Sequence, residues 1–166
     1  KPFNVKRGGR YYVKRNSSAL IAFSIPSSFS GFNIVSAHTD SPCFKVKWNP
    51  EVKAAGFPTR LNVEAYGGMI MQSWFDRPLS IAGRVFIKRN GKVEEKLVNL
   101  GQKFTIVIPN LAIHQNREAN NGWKISVQKE MLPIFSDGDS SFLDEVASSA
   151  ECRKEDLLDY DLFLYN

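Results

Sequence analysis

The chain has 166 residues, of which 43% are hydrophobic and 23% are charged, and its formal net charge is +5 at pH 7. This composition is ordinary for a folded domain, so disorder is not the default expectation. No apolar run approaches the ~20 residues that span a bilayer, so no membrane segment is predicted. The positive charge is spread along the chain without an Arg-rich tract, which favours a solvated surface or a subunit interface over nucleic-acid binding.

The basic segment Lys1–Arg10 is not followed by an apolar signal core, so the sequence does not predict secretion. Cys43 and Cys152 lie far apart, and neither belongs to a CxxC pair. A disulfide framework is therefore not expected, and we predict a reducing, cytoplasmic environment.

The first part of the chain predicts two short strands and then a buried one. The short strands are Tyr11–Val13 and Leu20–Ile25, with a turn at 15–18 between them. Phe32–Ala37 is a nearly continuous apolar run, which is typical of a strand buried on both faces of an α/β sheet. Polar residues at the end of such a strand are a common place for chemistry, and this run leads directly into His38-Thr39-Asp40.

From about Trp48 the pattern changes to short strands separated by turns. A hairpin is predicted where Arg84–Lys88 and Lys92–Val98 flank Asn90-Gly91, a strong type I′ turn signal. The segment 110–118 predicts a short helix or an ordered loop. Three further short strands are predicted here, at Leu61–Tyr66, Phe104–Ile108 and Lys124–Gln128. Frequent short strands of this kind favour a small β-sandwich or barrel.

The last part predicts a helix over Phe142–Ala150, preceded by a capping pattern that starts at Ser141, and a strand over Leu157–Tyr165. We therefore expect an incomplete α/β domain that is interrupted by a β-rich, barrel-like or sandwich-like insert. The expected limits are 1–48 for the first part of the α/β domain, 49–155 for the insert, and 156–166 for a strand returning to the α/β domain.

The two histidines are weighed separately, because neutral imidazole is a common ligand of zinc. His38 and Asp40 share a face if the segment stays extended, and the carboxylate could then orient the imidazole on a metal. The pattern alone still favours a hydrogen-bonded core histidine at a strand end. His114 lies on an apolar segment, where a surface or packed histidine is the favoured interpretation.

Other catalytic signatures are missing from the sequence, which has no HExxH, no Gly-x-Ser-x-Gly and no phosphate-binding Gly-rich loop. Cys43 follows the His38 segment, but nothing in the sequence predicts the geometry that would activate it as a nucleophile. The segment Trp74–Pro78 fits two interpretations equally: a packed corner with a local Asp–Arg contact, or an interface anchor.

Taken in order, several segments resemble the aspartyl aminopeptidase family, metallopeptidase family 18. The most specific are His38–Cys43 (HTDSPC) and Ser73–Val85 (SWFDRPLSIAGRV). The resemblance covers essentially the whole chain, and its other segments are Gly8–Tyr12, Ser36–Ala37, Tyr66–Gly68, Ile108–Arg117 and Asp159–Tyr165.

The resemblance implies a catalytic α/β domain with an inserted β-rich domain that builds homo-oligomers, dimers assembling into a dodecamer. It implies two zinc ions and the removal of N-terminal residues, commonly acidic ones, from peptides. His38 matches the family's first metal-ligand histidine, and Asp40 matches the catalytic aspartate that assists it. His114 matches a substrate-binding histidine that reaches the active site of a neighbouring subunit.

The family's remaining metal ligands and its catalytic glutamates have no match in this chain. A catalytic zinc needs about three protein ligands, and a two-metal site needs more. We therefore expect this chain to be part of a zinc aminopeptidase and to show no turnover by itself. The alternatives are a non-catalytic β-rich assembly module and, from charge and aromatic content only, a nucleic-acid-binding β-barrel.

Overall fold

The computed structural model describes residues 4–101, 104–138 and 140–166. The chain divides into two compact units, Lys1–Thr39 and Asp40–Asn166. Most of its regular structure is β-strand, and among the described residues no helix is long and apolar enough to cross a membrane.

The first unit contains one antiparallel hairpin, formed by β1 (Arg10–Arg15) and β2 (Ala19–Ser24). Across the hairpin, Tyr11 stacks on Phe23 with 5.4 Å between the ring centroids. The two strands predicted in this region are therefore confirmed: the first is longer than predicted, and the second is shifted by one residue.

The strand predicted at Phe32–Ala37 is wrong. These residues form no strand, and the side chains of Phe32, Ile34 and Val35 are 83%, 84% and 97% exposed. A strand buried on both faces needs neighbouring strands and covering helices. The described residues of the first unit supply only the β1–β2 hairpin, so this run builds no α/β layer here.

The second unit is built on a six-stranded sheet in which every recorded strand pairing is antiparallel. The spatial order is β6-β5-β8-β3-β4-β7. Because β8 pairs with both β3 and β5, the last strand of the chain lies in the middle of the sheet. The strands are β3 (Cys43–Val52), β4 (Thr59–Tyr66), β5 (Ser80–Arg89), β6 (Lys92–Asn99), β7 (Ile134–Ser136) and β8 (Leu157–Tyr165).

The hairpin predicted around Asn90-Gly91 is confirmed as β5–β6. Asn90 and Gly91 have φ values of 52° and 74°, as a type I′ turn requires at both central positions. Near the start of β5, a Cβ atom on Gly83 would overlap the backbone carbonyl oxygen of Asp161 on β8. Glycine at this position therefore permits the close approach of the two strands.

Among the described residues, two α-helices accompany the sheet, α1 (Val127–Glu130) and α2 (Phe142–Ser149). Helix α2 starts as predicted, but the Ser141 side chain makes no capping hydrogen bond. Instead the Phe142 N–H donates to the carboxylate of Glu51 on β3, at 2.6 Å. The cap predicted from local sequence is thus supplied by a residue distant along the chain.

The core of the second unit is formed by side chains of the sheet, of α2 and of the connecting segments that contain residues 75–79, 106–108 and 131–132. Burying side chains of this size contributes about 1.5–3 kcal/mol each. The fully buried residues include Phe44, Leu61, Ile81, Ile87, Phe142, Val146 and Leu162.

The strand predicted at Lys124–Gln128 is wrong, because α1 begins at Val127 and residues 124–126 have no regular structure. Apolar and polar residues alternate in this segment, which favours a strand. The chain instead forms a helix-capping interaction, in which the Glu130 carboxylate accepts the Ser126 N–H at 2.6 Å. In the strand predicted at Phe104–Ile108, residues 106–108 form only isolated bridges. Residues 110–118 form a loop with several turns, which matches the predicted ordered loop rather than the predicted short helix. Strands β3 and β7 are not predicted by the sequence pattern.

The two observed units meet between Thr39 and Asp40, whereas the first predicted boundary is at residue 48. The segment predicted as a returning strand forms β8 within the sheet of the second unit. The limits 1–48, 49–155 and 156–166 describe a longer family fold, and for that fold they stay predictions. The barrel or sandwich form predicted for the insert is not confirmed.

Candidate active-site residues

Asp40 is the first residue of the second unit and lies just before β3. The antiparallel register pairs Cys43 at the start of β3 with Tyr66 at the end of β4. This pairing brings the Tyr66 phenol to Asp40, and Tyr66 Oη donates to Asp40 Oδ2 at 2.5 Å. The hydrogen bond restrains the orientation of the Asp40 carboxylate.

The Asp40 carboxylate also changes the acidity of its neighbours. Its hydrogen bond and its charge raise the pKa of the Tyr66 phenol. Partial burial, followed by the charge of Asp40, raises the pKa of the Cys43 thiol. A raised thiol pKa reduces the thiolate fraction at neutral pH, so this environment argues against Cys43 as a nucleophile.

His38 belongs to the first unit, and its side chain is exposed. It is therefore not the buried core histidine that the local pattern favoured. An exposed imidazole can bind a metal without paying a large cost of desolvation. Its role as a metal ligand is not tested by this geometry and stays a prediction.

The zinc ions implied by the family resemblance need more ligands than the described residues bring together. Within residues 4–101, 104–138 and 140–166, no group of three or more His, Cys, Asp or Glu side chains could hold a metal ion. A catalytic zinc uses about three protein ligands and keeps one position open. The described donors do not form such a site, so no zinc-dependent step can be assigned to these residues alone.

His114 lies in an exposed loop, residues 110–122, which we call the His114 loop. The loop is ordered by its own turns: Gln115 N–H and Asn116 N–H both donate to the Ala112 carbonyl oxygen, at 2.8 and 3.2 Å. The surface interpretation of His114 is therefore confirmed. Contact with a substrate stays a prediction.

The base of the His114 loop is held by Phe75 and Asp76. The Asp76 N–H donates to the Ile108 carbonyl oxygen at 2.9 Å, and Asp76 Oδ1 accepts the Asn110 N–H at 2.9 Å. The ring of Phe75, which is 7% exposed, stacks on Trp123 with 5.8 Å between centroids. The segment Trp74–Pro78 is thus a packed corner that contacts both ends of this loop.

Sequence reasoning missed this function of Asp76. One of the two interpretations of this segment included a local Asp–Arg contact, but the hydrogen bond that the structure shows for the Asp76 carboxylate goes to the Asn110 backbone. One available signal was residue type: Asp tolerates positive φ better than most residues, and Asp76 has φ of 57°. Nothing in the local sequence indicates which distant amide the carboxylate binds.

A second charged cluster that the sequence did not reveal lies on the sheet. Asp161 on β8 accepts hydrogen bonds from Lys45 Nζ at 2.7 Å and from Arg84 Nη2 at 3.0 Å. The hydrogen bond from Lys45, and then that from Arg84, lower the pKa of the Asp161 carboxyl against the opposing effect of burial. This cluster joins three neighbouring strands, so we interpret it as structural.

Comparison with known proteins places these features in a wider family. The family model described as Aminopeptidase I zinc metalloprotease (M18) matches residues 1–166. A probable M18 family aminopeptidase 2 of Pseudomonas aeruginosa strain PAO1 is 47% identical over 175 residues. That alignment covers 99% of this chain but 40% of the relative, so the chain spans about two fifths of the length of this curated relative.

Solved structures share the fold. A chain in the cryo-electron microscopy structure of the Ape4 and Nbr1 complex has a TM-score of 0.81 and 31% identity, covering 98% of this chain and 36% of that chain. A chain of the S. cerevisiae mApe1 dodecamer has a TM-score of 0.73 and 23% identity, covering 96% and 37%. At this lower identity the likeness shows the fold alone.

Proposed function

Because the chain belongs to the M18 family of aminopeptidase I zinc metalloproteases, we propose that it supplies part of a zinc-dependent enzyme that removes N-terminal, acidic residues from peptides. The observation that carries this proposal is the family match over the whole chain, joined to 47% identity with an M18 aminopeptidase relative. The same chain without the rest of a family-length enzyme is proposed to be inactive.

In this proposal, His38 is a zinc ligand and Asp40 is the catalytic aspartate that orients it. Two observations support these assignments: the His38 side chain is exposed, and the Asp40 carboxylate is restrained by Tyr66. A complete site is proposed to hold two zinc ions. The other ligands must come from residues outside the set described here, which contains no cluster able to hold a metal.

His114 is proposed to bind substrate in the active site of a neighbouring subunit. The exposure and internal order of the His114 loop support this role, because a substrate contact made across subunits needs an accessible and defined loop. We propose a homo-oligomer of dimers that build a dodecamer, and the structural likeness to the mApe1 dodecamer supports it.

The preference for acidic peptides has an electrostatic argument. Residues 1–39 contain no Asp or Glu, so all 17 acidic residues of the chain lie in residues 40–166. The uncompensated positive charge of the first unit would attract anionic peptides. We also propose a cytoplasmic location, since Cys43 and Cys152 are both free thiols.

The first experiment measures peptidase activity of the purified 166-residue chain with added zinc and peptides that begin with Asp or Glu. We expect no turnover, because the described residues contain no cluster of donors able to hold a metal ion. A zinc-dependent turnover by this chain alone would contradict the proposal that it is inactive.

The second experiment uses a chimeric enzyme in which this chain replaces the matching segment of the Pseudomonas aeruginosa relative. We expect aminopeptidase activity and faster cleavage of peptides that begin with Asp or Glu than of peptides that begin with Ala. In this enzyme His38→Ala should lower both the bound zinc and the activity. His114→Ala is the matched control, because it should lower activity while bound zinc stays unchanged.

Metal analysis and peptide kinetics on the two variants decide between the roles. Unchanged zinc content in His38→Ala would refute its role as a ligand, and unchanged kinetics in His114→Ala would refute substrate contact. Mixed oligomers of His114→Ala and His38→Ala subunits should regain activity if the two residues serve one active site from different subunits.

A second candidate function is a non-catalytic assembly module. Strand β6 lies at one edge of the sheet, and Val93 and Leu97 on it are 67% and 77% exposed. An edge strand presents unpaired backbone groups to which another chain can pair, although the charged residues of β6 oppose such pairing. Light scattering on the isolated chain tests this candidate, and a strict monomer at high concentration would argue against it.

A further inference from the structure

Asp76 forms hydrogen bonds to the chain at the start of the His114 loop. Pro109 precedes the loop and has no N–H to donate. Asp76 bonds the residues on both sides of this proline, through its own N–H to Ile108 and through Oδ1 to Asn110. Asp76 is therefore bonded to the chain on both sides of the point where the loop begins.

The segment before the loop is firmly held. Ile106 and Ile108 are buried, and Ile106 exchanges two backbone hydrogen bonds of 2.8 Å with Leu79. The Ile134 N–H donates to the Val107 carbonyl oxygen at 2.8 Å on the other side. Residues 106–108 are thus a fixed support from which the loop leaves.

Beyond this support the loop makes few hydrogen bonds to the rest of the unit among the described residues. Its recorded backbone bonds, such as Ala119 N–H to Asn116 and Asn121 N–H to Glu118, are internal to the loop. In the part of the chain that the structure describes, the Asn110–Asp76 bond is the one hydrogen bond that joins the loop to a residue outside it. This bond has a charged acceptor, which makes it stronger than a bond between neutral groups.

We propose that Asp76 is a positioning residue that holds the His114 loop, and with it the His114 imidazole, in the orientation used for substrate binding. The proposal rests on the proposed function in assigning substrate contact to His114. The carboxylate does not touch substrate itself. It acts through the Asn110 backbone, four residues before the histidine.

The backbone conformation of Asp76 decides which substitutions can test the proposal. Its φ of 57° lies in the left-handed region, which Gly and Asn adopt more readily than most residues. Asp76→Gly removes the acceptor without backbone strain. Asp76→Asn keeps a side-chain carbonyl acceptor in the same conformation and is the matched control.

The first measurement is the rate of trypsin cleavage after Arg117, inside the loop, in the folded 166-residue chain. Cleavage after Lys53, in the exposed connection between β3 and β4, is the internal reference. A hydrogen bond to a charged group corresponds to roughly a tenfold or larger change in local opening, so Asp76→Gly should accelerate cleavage at Arg117 about tenfold relative to Lys53. Asp76→Asn should stay within about threefold of the original chain.

Two outcomes of this measurement would overturn the proposal. Equal acceleration at Arg117 and Lys53 would mean that Asp76 acts on overall stability. An unchanged rate at Arg117 in Asp76→Gly would mean that the loop is held by other contacts. Hydrogen exchange at the Asn110 amide gives an independent check, because this amide should lose protection in Asp76→Gly and keep it in Asp76→Asn.

The second measurement is peptide kinetics in the chimeric enzyme. Asp76→Gly should lower kcat/KM without changing zinc content, and Asp76→Asn should restore it. Combining Asp76→Gly with His114→Ala should cost no more than His114→Ala alone, because both changes remove the same contact. Fully additive losses would overturn the link between Asp76 and His114.

The failure of this proposal and the failure of the proposed function give different results. If Asp76→Gly loosens the loop but His114→Ala has normal kinetics, loop positioning stands and the substrate-binding role of His114 falls. If His114→Ala is impaired but Asp76→Gly leaves cleavage at Arg117 unchanged, the role of His114 stands and the positioning role of Asp76 falls.

Discussion

The two units of this chain differ in how much of their apolar surface they bury. Every fully buried hydrophobic residue lies in the second unit, and none of the described residues of the first unit is buried. The first unit nevertheless carries strongly apolar stretches, including Phe32, Ile34 and Val35, which are more than four-fifths exposed. Apolar sequence therefore predicts burial only where other elements are present to cover it.

The units also differ in charge. The first has only cationic charged side chains, whereas the second mixes both signs and contains ion pairs such as those that Asp161 makes with Lys45 and Arg84. In the second unit, opposite charges cross-link neighbouring strands. In the first, the described Lys and Arg residues are all exposed.

The largest expected effect tests the difference in burial directly. Phe44→Ala should lower the free energy of unfolding by about 3–5 kcal/mol, because Phe44 is fully buried and packs edge-on against Trp74. Phe32→Ala, at an 83% exposed position, should change it by less than about 0.5 kcal/mol. Urea unfolding of both variants gives the comparison, and similar losses would break the contrast between the units.

A second test sharpens the role of close strand packing in the second unit. Gly83→Ala should destabilise the chain by about 1–3 kcal/mol, because the added methyl group would overlap the Asp161 carbonyl oxygen and push β5 away from β8. Gly68→Ala is the matched control, since its Cβ would meet nothing within 4 Å. Equal thermal midpoints for the two variants would contradict this account.

A third test concerns the charges of the second unit. The Asp161 carboxyl has a lowered pKa in the folded state, so its contribution to stability is present above the usual carboxyl pKa and is lost as pH falls through the folded-state pKa. Unfolding experiments should show a fall in the free energy of unfolding below about pH 4, and this fall should be smaller in Asp161→Asn. At neutral pH the substitution should cost about 1 kcal/mol, since the ion pairs are partly exposed.

The matched control for this third test is Asp159→Asn on the same strand. Asp159 precedes Tyr160, whose N–H it accepts, and no ion pair is recorded for it among the described residues. The acid loss of stability should persist in this variant. If both substitutions diminish it equally, the effect does not come from the Lys45–Asp161–Arg84 cluster.

The smallest expected effect is local to the candidate site. Asp40→Asn should lower the pKa of Tyr66 toward its ordinary value, because the charged acceptor of the phenol is lost. Nuclear magnetic resonance of the Tyr66 ring across an alkaline titration measures this shift. The pKa of Tyr160, which burial raises to about 12, should not move and serves as the internal control.

Sequence reasoning succeeded where the signal is local. The β1–β2 hairpin, the Asn90-Gly91 turn, helix α2 and strand β8 are all specified by short-range patterns of turn residues and apolar spacing. The family also followed from sequence, because short ordered segments such as His38–Cys43 carry it. None of these features depends on which distant element lies next to them.

Less of the candidate site could be predicted from the sequence. It singled out His38, Asp40 and His114, but their proposed roles came from family resemblance rather than from spacing. It did not show that Tyr66 binds Asp40 or that Asp76 binds the Asn110 backbone. Both contacts join residues more than twenty positions apart, and chain register across the sheet or the corner creates them.

Sequence alone determined the family, the β1–β2 and β5–β6 hairpins and helix α2 of this protein, because each is specified by short segments of the chain. Only the tertiary structure decided that Phe32–Ala37 forms no strand, that Glu51 caps α2 and that β8 lies between β3 and β5. The physical reason is the same in each case. Burial, capping and strand pairing need a partner, and that partner lies far along the chain or does not lie among the described residues.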